Sequence, residues 1–267
     1  MISAMTEIAT PASIRPWLQI TGFKFGWPMI PAVIASAVLM QGMLVPGREL
    51  GRWLWKSNPA VFHHQVWEFV CLAEVFQFLT GVVAVLLLRR FLPQAPTYLR
   101  WPKKASHWWL AAAMGLAFAA IMLIADFWPQ LFLHKPFPDQ GYEMTTVGVP
   151  GWLIAMLGAG PNEELVFRSF LVGLLTVFVP GRVRAGAFEV PLAAVVVGLL
   201  FAGAHYGSFF HAPLAMAIAQ ALYAAAFSVL YVWLMERANS VAAPMLTHGL
   251  SDAAETAATM LLTTWWR

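Results

Sequence analysis

Seven stretches of this chain, at about 26–46, 67–88, 107–128, 150–179, 188–206, 212–235 and 241–264, are each predominantly apolar. Their length is close to the roughly 20 residues that a helix needs to cross the hydrocarbon core of a bilayer. Backbone in that environment must satisfy its own hydrogen bonds, so these stretches predict helices. Composition agrees. Of 267 residues, 60% are hydrophobic and 11% are charged, against about 25% charged in a soluble domain. Thirteen Trp and nineteen Phe suit the aromatic belts of the two interfaces. The expected fold is all-α: a polytopic transmembrane helix bundle of about seven to eight spans with an intramembrane polar cavity.

The spans divide the chain into an N-terminal cytosolic or interfacial segment at 1–25, a set of N-terminal transmembrane helices at 26–149 and a core at 150–264. The first segment contains Glu7, Pro11, Arg15, Pro16 and Lys24, so no signal peptide is expected there, and Trp17 and Phe23 are expected near the headgroups. In the fourth span, Gly158, Gly160 and Pro161 predict a kink or break. Either one bent helix or a re-entrant piece plus a helix satisfies that signal. The Ala-rich runs 111–120 and 221–226 suit close helix packing, and Cys71, the sole cysteine, excludes an internal disulfide.

Charge in the connections sets the expected orientation. One side receives Arg15, Lys24, Arg89, Arg90, Arg100, Lys103, Lys104, Arg182, Arg184 and Arg237; the other receives Arg48, Arg52, Lys56, Lys135 and Arg267. Ten against five predicts a cytoplasmic N-terminus and an external C-terminus. The net charge of +3 reflects these loops and no nucleic-acid partner, since no basic patch sits on a soluble domain.

Against this background Pro161-Asn162-Glu163-Glu164-Leu165-Val166-Phe167-Arg168 stands out, with three formal charges inside the apolar run 149–179. A charge near the bilayer centre costs at least ~2.5–3.5 kcal/mol. On a helix Glu164 and Arg168 are i, i+4 neighbours able to pair, while Glu163 points about 100° away from Glu164 and is left over. His205 closes the fifth span. His248 and Asp252 in the last span share a face, with Glu255 one turn on. Glu68, Glu74, Gln77, Asp126, His211 and Gln220 are scattered through the other spans. Glu68 and Asp126 lie near interfaces, and Glu74 is deep enough to support a site.

One free Glu, two His and one Asp on three helices can converge in a water-filled cavity. There a carboxylate can deprotonate water while imidazoles hold a metal or the developing oxyanion. Neither Gly-x-Ser-x-Gly nor His-Glu-x-x-His occurs, which leaves a serine hydrolase or standard zincin unsupported.

The ordered set Glu163-Glu164-x-x-x-Arg168, Phe201-x-x-x-His205 and His248-x-x-x-Asp252 resembles the CPBP (Abi) family of intramembrane proteases, which includes the CAAX prenyl endopeptidases. The resemblance spans roughly residues 150–255. It implies that Glu163 activates the attacking water and that Glu164 and Arg168 organise the site. His205 and His248 would then orient the water, stabilise the oxyanion or bind a divalent metal such as zinc. Two positions depart from the family pattern. Ser169 stands where a glycine is common, and Asp252 stands where the prenyl endopeptidases carry Asn. An amide can donate to an oxyanion and an ionised Asp cannot, so Asp252 would be protonated, orient His248 or help to hold a cation.

The resemblance implies a multi-pass membrane protein, of the cell (inner) membrane in a bacterium. Its substrate would be a membrane-associated protein or peptide, cut by CAAX-type or C-terminal-tail processing. Two other readings remain open at this level: a non-enzymatic scaffold or peptide-immunity protein using the same cavity, and a proton- or cation-coupled transporter. No internal repeat supports the transporter.

Overall fold

The computed structural model describes residues 17–138 and 140–265. In chain order, β1 (Leu18–Thr21) precedes three long helices, α1 (Met29–Ser57), α2 (Val66–Phe91) and α3 (Ala105–Leu133). Then α4 (Gly148–Glu164) runs without a break into a π-helical segment, Leu165–Val172, and on into α5 (Gly173–Phe178). A hairpin, β2 (Arg182–Ala185) and β3 (Phe188–Pro191), leads to α6 (Leu192–Ala204), a single turn α7 (Ser208–His211), α8 (Leu214–Ala238) and α9 (Ala242–Trp265). Among the described residues, α1, α2, α3, the stretch Leu192–His211 and α8 are long and apolar enough to cross a membrane. α4, which carries Glu163 and Glu164, and α9, which carries His248 and Asp252, pack against each other and are flanked by α2 and α3. The chain is a polytopic helix bundle, and α4 and α9, which fall on two of the seven stretches read as spans, are not among these five.

Several boundaries differ from those read in the sequence. The first helix does not stop at 46 but continues through Pro46 to Ser57. Gly47 and Gly51 are buried there against α2, and Arg52 pairs with Glu49 at 3.0 Å, so packing and a local ion pair carry the helix past its proline. The fourth span is one continuous helical run rather than a broken one. The fifth span begins at Leu192 instead of 188, because Phe188–Pro191 is a strand and Pro191 can precede a helix but not sit inside it.

Within the described part of the segment 1–25, Leu18–Thr21 forms a strand. β1 pairs antiparallel with β2, Leu18 opposite Ala185, and β2 with β3. The turn between β2 and β3 uses Gly186 at φ +60°. Arg182 of the sheet pairs with Glu189 and reaches Glu236 at the end of α8, 2.7 Å away. This sheet therefore braces the end of the bundle that carries the basic loops. The reading of residues 1–16 and of Arg267 falls outside the described residues. Trp17 and Phe23 are exposed.

Candidate active site

Two glycines bring α4 and α9 together. Pro161 has no N–H to offer the carbonyl of Leu157, and that carbonyl faces Gly249, where a Cβ would lie only 2.5 Å from it. A Cβ on Gly160 would in turn collide with Met245 O and lie 2.5 Å from Gly249 N. Backbones this close set the turn of α4 that bears the glutamates directly beside the turn of α9 that bears His248. Next to them, Asn162 is buried and donates through Nδ2 to Glu74 Oε2 and Gln77 Oε1, both at 2.8 Å. This ties the same turn to α2.

The two glutamates have different surroundings. Glu164 is fully buried, with Oε2 3.0 Å from Arg168 Nε in the i, i+4 pair that the spacing predicts. Its Oε1 accepts from His248 Nδ1 at 2.8 Å. A carboxylate only accepts, so the Nδ1 proton is held there and Nε2 is directed elsewhere. Nε2 lies 3.7 Å from Glu163 Oε2 and 3.4 Å from Asp252 Oδ2. The Glu163 side chain is 26% exposed and reaches a cavity of about 350 Å³.

Arg168 is fully buried, and its guanidinium nitrogens make no hydrogen bond among the described residues. Its charge is met by Glu164 and by ring faces: Phe201 at 4.4 Å, Tyr231 at 4.9 Å and Phe167 at 5.6 Å. Tyr231 also stacks on His248, centroids 5.2 Å apart and planes within 18°. One aromatic cluster thus holds the cation and the imidazole at once.

His205 follows the last turn of α6. Its Nδ1 donates back to Phe201 O at 2.8 Å, so its other nitrogen is free to accept on the cavity side. Glu163, His205, His248 and Asp252 all line the cavity, together with Asp126, Glu255 and Tyr223. α3 is kinked at Phe127, two residues before Pro129, and Tyr223 donates to Asp126 Oδ2 at 3.1 Å. Glu255 accepts from Thr259 at 2.9 Å. From the loop between α3 and α4, Tyr142 also lines the cavity. Burial, and then the Glu255 carboxylate, pushes its phenol above the ordinary range, so it stays a donor.

The structure therefore brings Glu163, Glu164, Arg168, His205, His248 and Asp252 into one region. Glu74 supports this region through Asn162. Glu68 is separate: it caps α2, accepting from the backbone N–H of His63 and Gln65 at 3.1 Å each. The sequence reading missed Asn162 and Tyr231. The adjacency of Asn162 to the glutamates was a signal for the first, whereas nothing local marks Tyr231, which comes to the site from α8. As to a metal on His205 and His248, the two rings flank Phe201, their centroids 5.0 and 5.9 Å from its own. Among the described residues no three His, Cys, Asp or Glu side chains are grouped to hold an ion.

Residues 145–254 match the family described as Rce1-like, type II CAAX prenyl endopeptidase Rce1-like. That stretch starts just before α4 and ends two residues after Asp252, so it contains the whole set. No curated protein matches the chain.

Proposed function

We propose, from the match of residues 145–254 to the Rce1-like family of type II CAAX prenyl endopeptidases, that the chain hydrolyses a peptide bond of a membrane-associated protein or peptide with Glu163 as the general base. Glu163 takes a proton from a cavity water, whose oxygen attacks the scissile carbonyl carbon. His205 accepts from that water and orients it. His248, held through Nδ1 by Glu164, directs Nε2–H at the oxyanion, and Asp252 fixes the ring from the cavity side. Collapse of the tetrahedral species breaks the C–N bond as Glu163 passes its proton to the leaving amine. These steps use the chain's own side chains, since among the described residues no three donor side chains are grouped to hold a metal.

The observation that carries this reading is the division of labour between adjacent glutamates. Glu164 is sealed with Arg168, while Glu163, one residue away, keeps its carboxylate in the cavity within reach of His248. Purified protein in detergent is expected to cleave a membrane peptide, and Glu163→Gln is expected to reduce that cleavage by 10³-fold or more, on the scale of general-base catalysis plus the attendant loss of water positioning. Cleavage by Glu163→Gln at the wild-type rate removes the proposal and favours a binding or immunity role for the cavity.

The distribution of charge supports a direction of access. Arg89, Arg90, Lys103, Lys104, Arg182, Arg184 and Arg237 all lie at one end of the helices, which the positive-inside rule assigns to the cytoplasm. Gln140, Tyr142 and Ser208, which line the cavity, lie at the other end. This arrangement favours membrane-anchored peptides or C-terminal tails presented from the non-cytoplasmic side.

A further inference from the structure

The end of the bundle with the basic loops holds a second cavity, of about 350 Å³, which shares no lining residue with the one at Glu163. Arg89 of α2 and Arg100 of the loop between α2 and α3 border it, together with Asn239 at the corner between α8 and α9. Among the described residues no Asp or Glu lines it. Arg89 and Arg100 are exposed, and neither stands in an ion pair among the described residues. Two carboxylates at this end, Glu189 and Glu236, are both taken by Arg182. The wall of the cavity is fixed from behind. Thr97 O accepts from Ser169, Tyr98 O from Val241 N at 2.9 Å, and Arg100 O from Ser240. Tyr98 is held at φ +50°, a conformation that a bulky residue keeps only where its surroundings impose it. Phe91, Trp101 and Trp109 nearby are exposed, as in an interfacial belt. The C-terminal pole of α2 favours cations in its last turn, which accounts for Arg89 and Arg90 alike. It does not account for a second guanidinium, from another segment, at the same cavity.

We infer that this cavity binds the phosphate of an anionic lipid headgroup between Arg89 and Arg100. A guanidinium presents paired N–H donors that match two phosphate oxygens, and Asn239 adds an amide donor. The positive-inside rule assigns this end to the cytoplasm, the leaflet where anionic lipids concentrate and where basic pockets between helices take their headgroups. The site does not depend on the proteolytic reading, but it touches the same machinery. Thr97 O, on the cavity wall, is the acceptor for Ser169, the residue after Arg168 in the π-helical segment. Ser169 stands where the family pattern has a glycine, which has no hydroxyl to make that bond. A lipid held by the loop therefore braces the segment that carries Arg168.

The test takes the full chain in a neutral detergent and titrates phosphatidylglycerol, with phosphatidylcholine and inorganic phosphate as the other two arms. A ligand that binds only the folded state raises its melting temperature. Phosphatidylglycerol is expected to do so by about 3 °C or more, and the other two arms by less than about 1 °C. Arg89→Gln combined with Arg100→Gln is expected to weaken the phosphatidylglycerol midpoint by about 10-fold or more. Arg90→Gln removes a neighbouring charge that does not line the cavity, and is expected to weaken it by less than about 2-fold. Both cavity arginines are exposed and unpaired, so the double variant is expected to melt with wild type when no lipid is added. Native mass spectrometry, counting the lipid retained by each variant, reads the same loss without relying on melting. Equal weakening by Arg90→Gln marks a diffuse attraction of the basic face and overturns the site. An equal rise with phosphatidylcholine also overturns it, since no anion is then selected. An equal rise with inorganic phosphate overturns the lipid and assigns the cavity to a soluble anion.

Discussion

Glu164 has one oxygen on His248 Nδ1 and the other beside Arg168, with both members of the ion pair wholly removed from solvent. Glu164→Gln keeps the shape but leaves the buried guanidinium facing only aromatic rings. Breaking one partner of a buried pair costs about 3–5 kcal/mol. A marked fall in thermal stability in detergent is therefore expected. Glu163 has no such duty. Its side chain borders the cavity, so Glu163→Gln is expected to unfold near the wild-type temperature while losing cleavage. A matched loss of stability in the two variants would contradict this split. The pairing of Glu164 with Arg168 was legible in the sequence because it is local, four residues along one helix. So was the leftover status of Glu163. The attachment of His248 to both glutamates was not, because nothing in the sequence sets the rotation of α9 against α4.

At the scale of elements, the crossing of α4 and α9 depends on the absence of side chains at Gly160 and Gly249. A Cβ at 249 would press on Leu157 O, a backbone atom that moves only if a helix moves. Overpacking of this kind costs about 1–3 kcal/mol. Because the same contact sets the 3.7 Å approach of His248 to Glu163, Gly249→Val is expected to lower cleavage at least 10-fold, beyond what its stability loss explains. Gly203→Ala is the control, since a Cβ there meets nothing within 4 Å and an alanine favours the helix. Equal activity of the two variants would remove the crossing from the account. The sequence reading took the glycines and Pro161 as a sign of a kink or a break, either one bent helix or a re-entrant piece plus a helix, and the run is continuous. The chain instead uses the carbonyl freed by Pro161 as a contact surface and places its irregularity later, in the π-helical turn. All eight residues of that turn are buried among α1, α2, α6 and α8, and π-helical turns of this kind recur at functional sites.

For the whole molecule, the end with the basic loops and the sheet is opposite the end where Gln140, Tyr142 and Ser208 line the cavity. Membrane-impermeant maleimide applied to intact cells is therefore expected to label Gln140→Cys in a Cys71→Ala background and to spare Ala187→Cys until the membrane is permeabilised. The reverse pattern would invert the orientation and return the cavity to the cytoplasmic side. The sequence by itself determined the solvent of this protein, its helical class, most of the long apolar helices, the Glu164–Arg168 pair and part of the set of residues that come together, Glu163, His205, His248 and Asp252 among them. Composition, apolar run length and i, i+4 spacing are local quantities, and the energetics of burying charge in hydrocarbon leave them few alternatives. Only the tertiary structure decided that His248 is held by one glutamate and faces the other. The same holds for Tyr231 covering both Arg168 and His248, and for residues 18–21 joining a sheet with 182–185. Those relations join residues far apart in the chain, and the packing of helix backbones, not any local preference, sets their distances.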